Sequence, residues 1–209
     1  MNRLLLFDFD GVVADSLDAF AASFVEQCRA VGFDKIATRQ DFLDLFDGNF
    51  LQRVLKAGLH PLKMRRFTKD FAPRITAVMA EVKPFEGMLA LLTDVAHAHP
   101  TYIITSSMTG AVEGYLARHG VTGVLGVLGA DQEPSKVKKI RQTAKRHPEA
   151  APWYIGDTKG DMLEGREAGA TTVAVTWGWH NETRLRSAQP DHVVHTPDEL
   201  RGLLQGWNL

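Results

Sequence analysis

The alternation of short apolar stretches with helix-like patterns is the feature that most constrains the fold. Apolar runs typical of buried strands lie at 4–7, 102–104, 124–128, 153–155, 172–175 and 193–194, and helical periodicities separate them from residue 84 onward. Parallel neighbouring strands need crossover connections, which are usually helices. We therefore expect an α/β fold with a doubly wound (Rossmann-like) parallel sheet and helices on both of its faces.

The segment 17–83 interrupts this alternation, because it contains helical periodicities but no strand pattern. A first helix is expected from Leu17, with Cys28 on its apolar side, and a capping box at Thr38 opens a second. A third runs from about Leu51 to Gly58. A further stripe consists of Met64, Phe67, Phe71, Ile75, Val78 and Val82, with Pro73 inside it as a kink or a new start. We expect an inserted helical domain at 17–83 and a main domain formed by 1–16 and 84–209.

Two acidic residues follow the first apolar run. Asp8 and Asp10 come directly after the strand, and Gly11 allows the backbone to turn sharply. In open α/β sheets, ligands bind beyond the carboxyl ends of the strands. Two carboxylates placed there need a positive partner, such as a divalent cation. The alternative is that Asp8 and Asp10 are ordinary solvent-exposed loop residues.

A second pair of acids follows a later strand. The run 153–155 ends at Gly156-Asp157, and Asp161 follows four residues further on. These acids are expected at the same edge of the sheet as Asp8 and Asp10. Mg²⁺ favours hard oxygen ligands and keeps several waters. Asp8, Asp10 and Asp157 therefore form a candidate Mg²⁺ site, with Asp161 in or next to it.

Two further segments carry hydroxyl and ammonium groups, for which a helix cap and a solvated lysine are the simpler explanations. Thr105, Ser106 and Ser107 follow the run 102–104, where hydroxyls and free backbone N–H groups can hold an anion. A plain helix N-cap is the alternative. Lys136 falls in the first turn of a helix capped by Ser135, a position where the helix dipole disfavours a cation. Lys138 and Lys139 are alternatives to Lys136 for a role at the site.

These four segments, in this order, resemble the four motifs of the haloacid dehalogenase-like (HAD) superfamily, in its phosphoglycolate phosphatase-like branch. The resemblance implies that Asp8 is the nucleophile and that Asp10 is a general acid/base whose backbone carbonyl also binds Mg²⁺. It implies that Thr105 binds the transferring phosphoryl group, that Lys136 neutralises charge, and that Asp157 and Asp161 serve the metal. The segment 17–83 corresponds to the helical cap. Further substrate or phosphate contacts are expected from Gly11, Ser106, Ser107 and Asn49, the last in the cap loop 46–50.

The implied function is Mg²⁺-dependent hydrolysis of a small phosphomonoester through an aspartyl-phosphate intermediate. A phosphomutase would share these catalytic residues. A phosphonate hydrolase of the same superfamily would need a cap lysine for an imine, and Lys35, Lys56, Lys63 and Lys69 are the candidates. A non-catalytic binding or regulatory protein of the same fold is an alternative of a different class.

Composition limits the classes of binding partner and the cellular compartment that we expect for this protein. The formal net charge of −1 gives no reason to expect nucleic acid, no apolar run reaches membrane-spanning length, and the one cysteine suits a reducing compartment. We expect a cytoplasmic monomer or small homo-oligomer that acts on a small phosphorylated metabolite. The basic run Lys63, Arg65, Arg66 and Lys69 could attract an anionic substrate, although a solvated helix face is the simpler interpretation. His180 is expected in an exposed loop or a partner contact, with a contact to substrate as the alternative.

Overall fold

A single parallel sheet organises the protein. The computed structural model describes residues 2–59, 67, 70, 73–75 and 77–206. Six strands form the sheet in the order β3-β2-β1-β4-β5-β6, and every neighbouring pair is parallel. The strands are β1 (Asn2–Phe7), β2 (Thr101–Ile104), β3 (Gly126–Leu128), β4 (Ala150–Gly156), β5 (Thr171–Val175) and β6 (His192–Val194). The predicted α/β class and doubly wound parallel sheet are confirmed.

Helices cover both faces of the sheet and build the inserted segment. Those of the inserted segment are α1 (Leu17–Ala30), α2 (Arg39–Asp44) and α3 (Phe50–Ala57), and the described residues at 73–75 and 77–81 are also helical. Those that follow are α4 (Met88–Ala98), α5 (Thr109–Arg118), α6 (Lys136–Arg146), α7 (Lys159–Ala168), α8 (Glu182–Arg186) and α9 (Pro197–Gln205). No helix in the described ranges has the length and apolarity needed to cross a membrane.

Strand β1 shows why the sheet is buried on both faces. Side chains alternate along a strand, so neighbouring residues point to opposite sides. Leu5 and Phe7 belong to the larger apolar cluster, which also includes residues of the inserted helices, whereas Leu4 and Leu6 belong to a smaller cluster on the other face. All four are fully buried. A continuous apolar run is therefore what this central position requires.

The inserted segment leaves and rejoins the sheet domain through two adjacent backbones. Ala14 pairs with Pro84 in an antiparallel bridge, the N–H of Asp15 donates to the carbonyl of Lys83, and the N–H of Phe85 donates to the carbonyl of Val13. Between 17 and 83, the described residues contain no strand. The division into 1–16 with 84–209 and 17–83 remains our proposal.

Several sequence expectations can be compared with the described segments. The capping box at Thr38 is present, Gly58 ends α3 in a left-handed conformation, and Cys28 is buried as predicted. The strand expected at 124–128 is shorter, because pairing with β2 begins only at Gly126 and the preceding Leu125 is exposed. Met64 and Phe71 of the predicted stripe lie outside the described residues, and so does the proposed kink before Pro73.

Candidate active site

The register of the central strands brings the polar strand-end residues together. Phe7, the last residue of β1, lies opposite Ile103 of β2 and Ile155 of β4. Asp8 follows Phe7 directly, and Thr105 and Asp157 stand two residues beyond Phe7's partners. Because the strands are parallel, all three residues emerge at the same edge of the sheet.

Lys136 joins two of the acids. It is the first residue of α6, and its Nζ donates to Oδ2 of Asp8 and to Oδ1 of Asp161, both at 2.6 Å. All three side chains are at least nine-tenths buried. Burial alone would lower the pKa of Lys136, but Asp161 and Asp8 raise it well above its usual value. The ammonium is therefore held charged beside Asp8.

Asp161 is held by groups of its own neighbourhood. Its Oδ1 also accepts from Tyr154 Oη at 2.9 Å, and its Oδ2 accepts from Thr158 Oγ1 at 2.6 Å and Thr158 N at 3.0 Å in the capping box of α7. Burial alone would raise the pKa of Asp161. Its charged and hydrogen-bonded partners, among which Lys136 has the largest effect, nevertheless keep this pKa below its usual value. Both oxygens already have donors, so Asp161 is better suited to orient Lys136 than to bind a cation directly.

Asp8, Asp157 and Asp161 form a buried acidic cluster that fits a divalent cation. Oxygens of the three carboxylates lie within 4.8 Å of one another. Oδ2 of Asp157 accepts from the N–H of Trp179 at 2.7 Å, whereas its Oδ1 is buried and makes no hydrogen bond with the described residues. Burial, followed by the neighbouring Asp161 and Asp8, raises the pKa of Asp157 well above its usual value. A hard cation would satisfy this orphaned oxygen and offset the repulsion.

Two glycines let the backbone approach Asp157 closely. Gly11 has a φ of +79°, and a Cβ there would lie 1.9 Å from Asp157 Oδ2. A Cβ on Gly178 would lie 2.3 Å from Asp157 Cβ. Gly11 is therefore needed for the turn after Asp10 and for the space beside Asp157. Its predicted role in phosphate binding remains a prediction.

Asp10 lies in a different environment from Asp8. Oδ2 of Asp10 accepts a hydrogen bond from Ser107 Oγ at 2.6 Å, and its buried Oδ1 has no hydrogen-bond partner in the described ranges. Burial raises the pKa of Asp10, and the Ser107 hydroxyl only partly opposes this. Burial also raises the pKa of Asp8, to about 7, although the positive charge of Lys136 acts to lower it. Ser107, which we predicted as a phosphate contact, thus holds the second acid in place.

The remaining hydroxyls and lysines take separate positions. Thr105 is fully buried, and its Oγ1 accepts from the N–H of Ser107 at 2.9 Å. Lys139, also fully buried, donates from Nζ to the carbonyl of Thr105 at 2.6 Å, and burial lowers its pKa to about 8. Lys138 is exposed and forms an ion pair with Glu133. Of the three lysines considered, Lys136 is the one that contacts Asp8. Ser106 is exposed on the wall of the cavity described below.

The inserted helices are bound to the sheet domain over this site. Asn49 caps α3 by accepting from the N–H of Gln52, and its Nδ2 donates to Oε1 of Glu164 in α7 at 2.8 Å. Arg184 donates to Asp44 Oδ1 and to Asp47 Oδ1, both at 2.7 Å. Asn49 therefore connects the inserted helices to α7 as well as capping its own helix.

The expectation that His180 is exposed is wrong. Its ring is buried between the domains, where Nε2 is 3.0 Å from the carbonyl of Leu43 and Nδ1 accepts from the N–H of Lys159 at 3.0 Å. Burial lowers the pKa of His180, which favours the neutral ring with its proton on Nε2. A histidine in the loop that follows β5 was expected to be exposed, because the sequence gives no sign of the inserted segment that covers it.

A cavity of about 340 Å³ lies between the acidic cluster and the inserted helices. Asp8, Asp10 and Lys136 lie at one end, and Trp179 and phenylalanines of the inserted helices line much of the rest. Trp179 and Glu164 also line the cavity and were not predicted to do so. The alternation of glycine and tryptophan at 177–179 was the one available signal, since Gly178 allows the chain to pass close to Asp157.

Comparisons with known proteins agree with this arrangement. A phosphoglycolate phosphatase of Synechococcus elongatus is 29% identical over 95% of this chain and 95% of its own length. An N-acetylmuramic acid 6-phosphate phosphatase of Pseudomonas putida is 26% identical over 97% of this chain and 96% of its own length. Both similarities extend over the sheet domain and the inserted helices.

Solved structures share the whole fold. A haloacid dehalogenase-like family protein of Streptococcus pneumoniae superposes with a TM-score of 0.77 at 24% identity, covering 98% of this chain and 99% of that one. A hydrolase of Pseudomonas syringae gives 0.80 at 18% identity, with 98% and 99% covered. The family model for haloacid dehalogenase-like hydrolases matches residues 5–175, which include the acids, the hydroxyl cluster and Lys136. The chain therefore belongs to the haloacid dehalogenase-like hydrolase family.

Proposed function

We propose that this protein is a Mg²⁺-dependent phosphatase that hydrolyses a small phosphomonoester through an aspartyl-phosphate intermediate on Asp8. The observation that carries the proposal is the buried contact of Asp8 with Lys136 at 2.6 Å, with Asp10 and the acidic cluster at the same end of one cavity. The phosphatase names of the relatives from Synechococcus elongatus and Pseudomonas putida support the reaction class.

Asp8 is the nucleophile in this proposal. One of its oxygens attacks phosphorus, the new O–P bond forms, and the bond from phosphorus to the ester oxygen breaks. The carboxylate must be ionised to attack, and burial works against ionisation. Lys136 favours the ionised form, and its pairing with Asp161 fixes the ammonium where it meets Asp8.

Asp10 is the general acid and base. Burial raises the pKa of Asp10, which favours its protonated form, and Ser107 fixes the carboxyl group. In the second half of the reaction, Asp10 takes a proton from water as the water oxygen attacks phosphorus. The O–P bond to Asp8 then breaks, inorganic phosphate leaves, and both acids return to their starting forms.

The charge that spreads over the phosphoryl oxygens needs donors and cations around it. Lys136 supplies one cation, and we assign the hydroxyl and amide groups of Thr105 and Ser106 to phosphate binding. Asp8 and Asp157 would hold Mg²⁺, joined by the backbone carbonyl of Asp10, while Asp161 orients Lys136. The metal, when bound, supplies Lewis-acid stabilisation of negative charge on the phosphoryl group.

The alternative chemistries are less well supported by the site. The phosphonate route needs a lysine amine in the cavity, but Lys35 and Lys56 do not line it, and Lys63 and Lys69 lie outside the described residues. Dehalogenation expels a halide ion, which needs no proton. A dehalogenase would therefore not need Asp10 as a general acid. A phosphomutase would use the same residues and would differ in retaining its phosphoryl group. The expected cytoplasmic location and monomeric or small homo-oligomeric state remain predictions.

Phosphate release from a generic phosphomonoester tests the proposal. We expect turnover in MgCl₂, no turnover after exhaustive chelation, and recovery when Mg²⁺ is restored. Asp8→Asn should abolish release while its unfolding curve stays close to that of the wild type, because the shape of the side chain is kept. Asp18→Asn, which changes a surface acid 87% exposed, should remain fully active. Activity that survives chelation, or activity of Asp8→Asn above a trace, would contradict the metal or the nucleophile.

A further inference from the structure

The cavity above the acidic cluster is strongly aromatic. Its walls include Phe20 and Phe24 of α1, Phe42 of α2, Phe46, Phe50 of α3 and Trp179. The rings support one another: the centroids of Phe46 and Trp179 are 4.8 Å apart with perpendicular planes, and Phe46 stacks on Phe50 at 5.0 Å. Pockets of this kind bind ligands mainly through apolar surface and use a few polar groups for orientation.

Charged groups in the cavity are concentrated at its phosphate end. Among the described lining residues, Lys136 is the only basic side chain, and it already pairs with Asp8 and Asp161. The charged group closer to the inserted helices is Glu164, whose Oε1 accepts from Asn49. Burial raises the pKa of Glu164, as expected for an acid in apolar surroundings.

A phosphate ester places its alcohol portion in this aromatic part when its phosphoryl group meets Asp8. A carboxylate on that alcohol would lose its hydration, find no cation among the described lining residues, and lie in the same cavity as Glu164. An uncharged ring would instead bury apolar surface against the phenylalanines and Trp179. The relatives give no substrate by themselves, because the names phosphoglycolate phosphatase and N-acetylmuramic acid 6-phosphate phosphatase denote chemically different alcohols.

We infer that the substrate of this site, given the proposed phosphatase function, is the phosphate ester of an uncharged, largely apolar alcohol about the size of a ring. The aromatic walls select the alcohol, and the carboxyl group of Glu164 offers no cation to an anionic one. Phosphoglycolate, whose small leaving group carries a carboxylate and offers no ring to these walls, is therefore a poorer substrate than the ester of a ring-sized alcohol.

A matched set of substrates tests this inference on the full-length protein with saturating Mg²⁺. Benzyl phosphate, 4-carboxybenzyl phosphate and phosphoglycolate are all esters of alkyl alcohols, so differences among them report binding of the alcohol more than leaving-group chemistry. We expect kcat/KM for benzyl phosphate to exceed that for each of the other two by about tenfold or more. A kcat/KM for phosphoglycolate as high as that for benzyl phosphate would overturn the inference, whichever basic residue of the chain recognised its carboxylate.

Two variants test which residues of the cavity determine the choice of phosphate ester. Phe46→Ala should lower the ratio of kcat/KM for benzyl phosphate over ethyl phosphate by about tenfold, since it removes a ring from the wall. Glu164→Gln keeps an oxygen for Asn49 but removes the charge, and should narrow the ratio of benzyl to 4-carboxybenzyl phosphate. Leu125→Ala, at an exposed position away from the cavity, is the control and should change neither ratio. Unchanged ratios in both variants would contradict the inference.

The inference and the proposed function fail in different ways. If the folded, Mg²⁺-loaded protein released phosphate from none of these esters, the proposed phosphatase function would be wrong. If it hydrolysed all of them and ranked phosphoglycolate first, the function would stand and the apolar substrate class would be wrong.

Discussion

The two carboxylates after β1 differ because their neighbours differ. Asp8 meets the ammonium of Lys136 and the acids of the cluster, whereas Asp10 meets the hydroxyl of Ser107. Burial raises the pKa of both, but only Asp8 has a cation in direct contact. The two acids therefore differ: the ammonium of Lys136 favours the ionised form of Asp8, whereas burial without a contacting cation favours the protonated form of Asp10.

This division predicts the behaviour of Asp10→Ala. We expect kcat for an alkyl phosphate to fall by roughly 10²–10⁴-fold, the usual contribution of a general acid/base. The loss should be smaller for an aryl phosphate, because a phenolate leaves with little help from a proton. The measurement is kcat for both ester types in wild type and variant. Equal losses for the two esters would contradict the acid role of Asp10.

Sequence reasoning at the residue scale worked where chemistry follows strand ends. Asp8, Thr105 and Asp157 could be placed together because parallel strands end at one edge. The position of Lys136 at a helix start was only a hint, and its assignment to the site came from the resemblance to the superfamily. The bonds of Ser107 to Asp10 and of Lys139 to the Thr105 carbonyl could not be predicted. They join segments separated by 97 and 34 residues, and no local pattern encodes such contacts.

At the scale of elements, Asn49 at the start of α3 both caps this helix and forms a hydrogen bond to α7. Asn49 Oδ1 accepts from the N–H of Gln52, while Asn49 Nδ2 donates to Glu164. We predicted a substrate contact for Asn49, and it does line the cavity. Its amide is, however, already engaged with Glu164, so it acts on the shape of the cavity as well as on a ligand.

Substitutions of Asn49 separate these two tasks. Asn49→Ala loses both and should lower the free energy of unfolding by about 1 kcal/mol. Asn49→Asp keeps the oxygen that caps α3 but replaces the donor to Glu164 by a like charge. We expect it to keep more stability than Asn49→Ala and still change the ranking of phosphate esters. Thr196→Ala, which removes a similar side-chain cap from α9, should lower stability and leave the ranking unchanged. An unchanged ranking in both Asn49 variants would make the loop a simple helix connection.

The edge of the sheet supplies a prediction on pH. Oδ2 of Asp191, just before β6, accepts from the N–H of Thr172 at 2.8 Å and from its Oγ1 at 2.7 Å. These bonds, led by the one from the N–H, hold the pKa of Asp191 below its usual value of 3.8. A carboxyl group whose pKa is lower in the folded protein stabilises it at pH values above its unfolded pKa. That stabilisation disappears as the pH falls through the folded pKa.

We therefore expect Asp191→Asn to be less stable than the wild type at pH 7, and the difference to shrink below about pH 4. The difference at pH 7 should be about 1 kcal/mol, since Asp191 is exposed and its bonds are partly screened by solvent. Urea unfolding at a series of pH values measures it. Asp34→Asn, at another exposed position, should follow the wild type at every pH. A constant gap between Asp191→Asn and the wild type down to pH 3 would contradict the assignment.

For the whole molecule, the sequence predicted the architecture better than the packing of its parts. Alternating strands and helices indicated the parallel sheet, and the helical stretch from 17 to 83 indicated an insertion, because both depend on local periodicity. How the inserted helices bind the sheet domain depends on contacts such as those of His180 with Leu43 and of Arg184 with Asp44. These pairs are 137 and 140 residues apart, so helical periodicity gave no indication of them.

Arg184 provides a test of how this docking serves the site. Its side chain, 19% exposed, binds Asp44 and Asp47 on either side of Phe46, the ring that packs on Trp179 in the cavity. Arg184→Ala should therefore loosen the segment that carries Phe46 and enlarge the space around the alcohol portion of the substrate. We expect a several-fold rise in KM for a ring-sized ester, with kcat less affected because Asp8, Asp10 and Lys136 keep their own contacts.

Arg186→Ala is the matched control, because Arg186 forms its ion pair with Glu182 inside α8, and no hydrogen bond or ion pair joins it to the described residues of the inserted segment. Each pair is worth about 1 kcal/mol or less in stability, so global unfolding should distinguish the two variants poorly. Hydrogen exchange should distinguish them clearly: amides of 42–50 should exchange faster in Arg184→Ala and at the wild-type rate in Arg186→Ala. Faster exchange without any change in KM would mean that the docking stabilises the inserted helices but does not shape the cavity. No change in either measurement would mean that the remaining contacts, including those of His180 and Asn49, hold the segment by themselves.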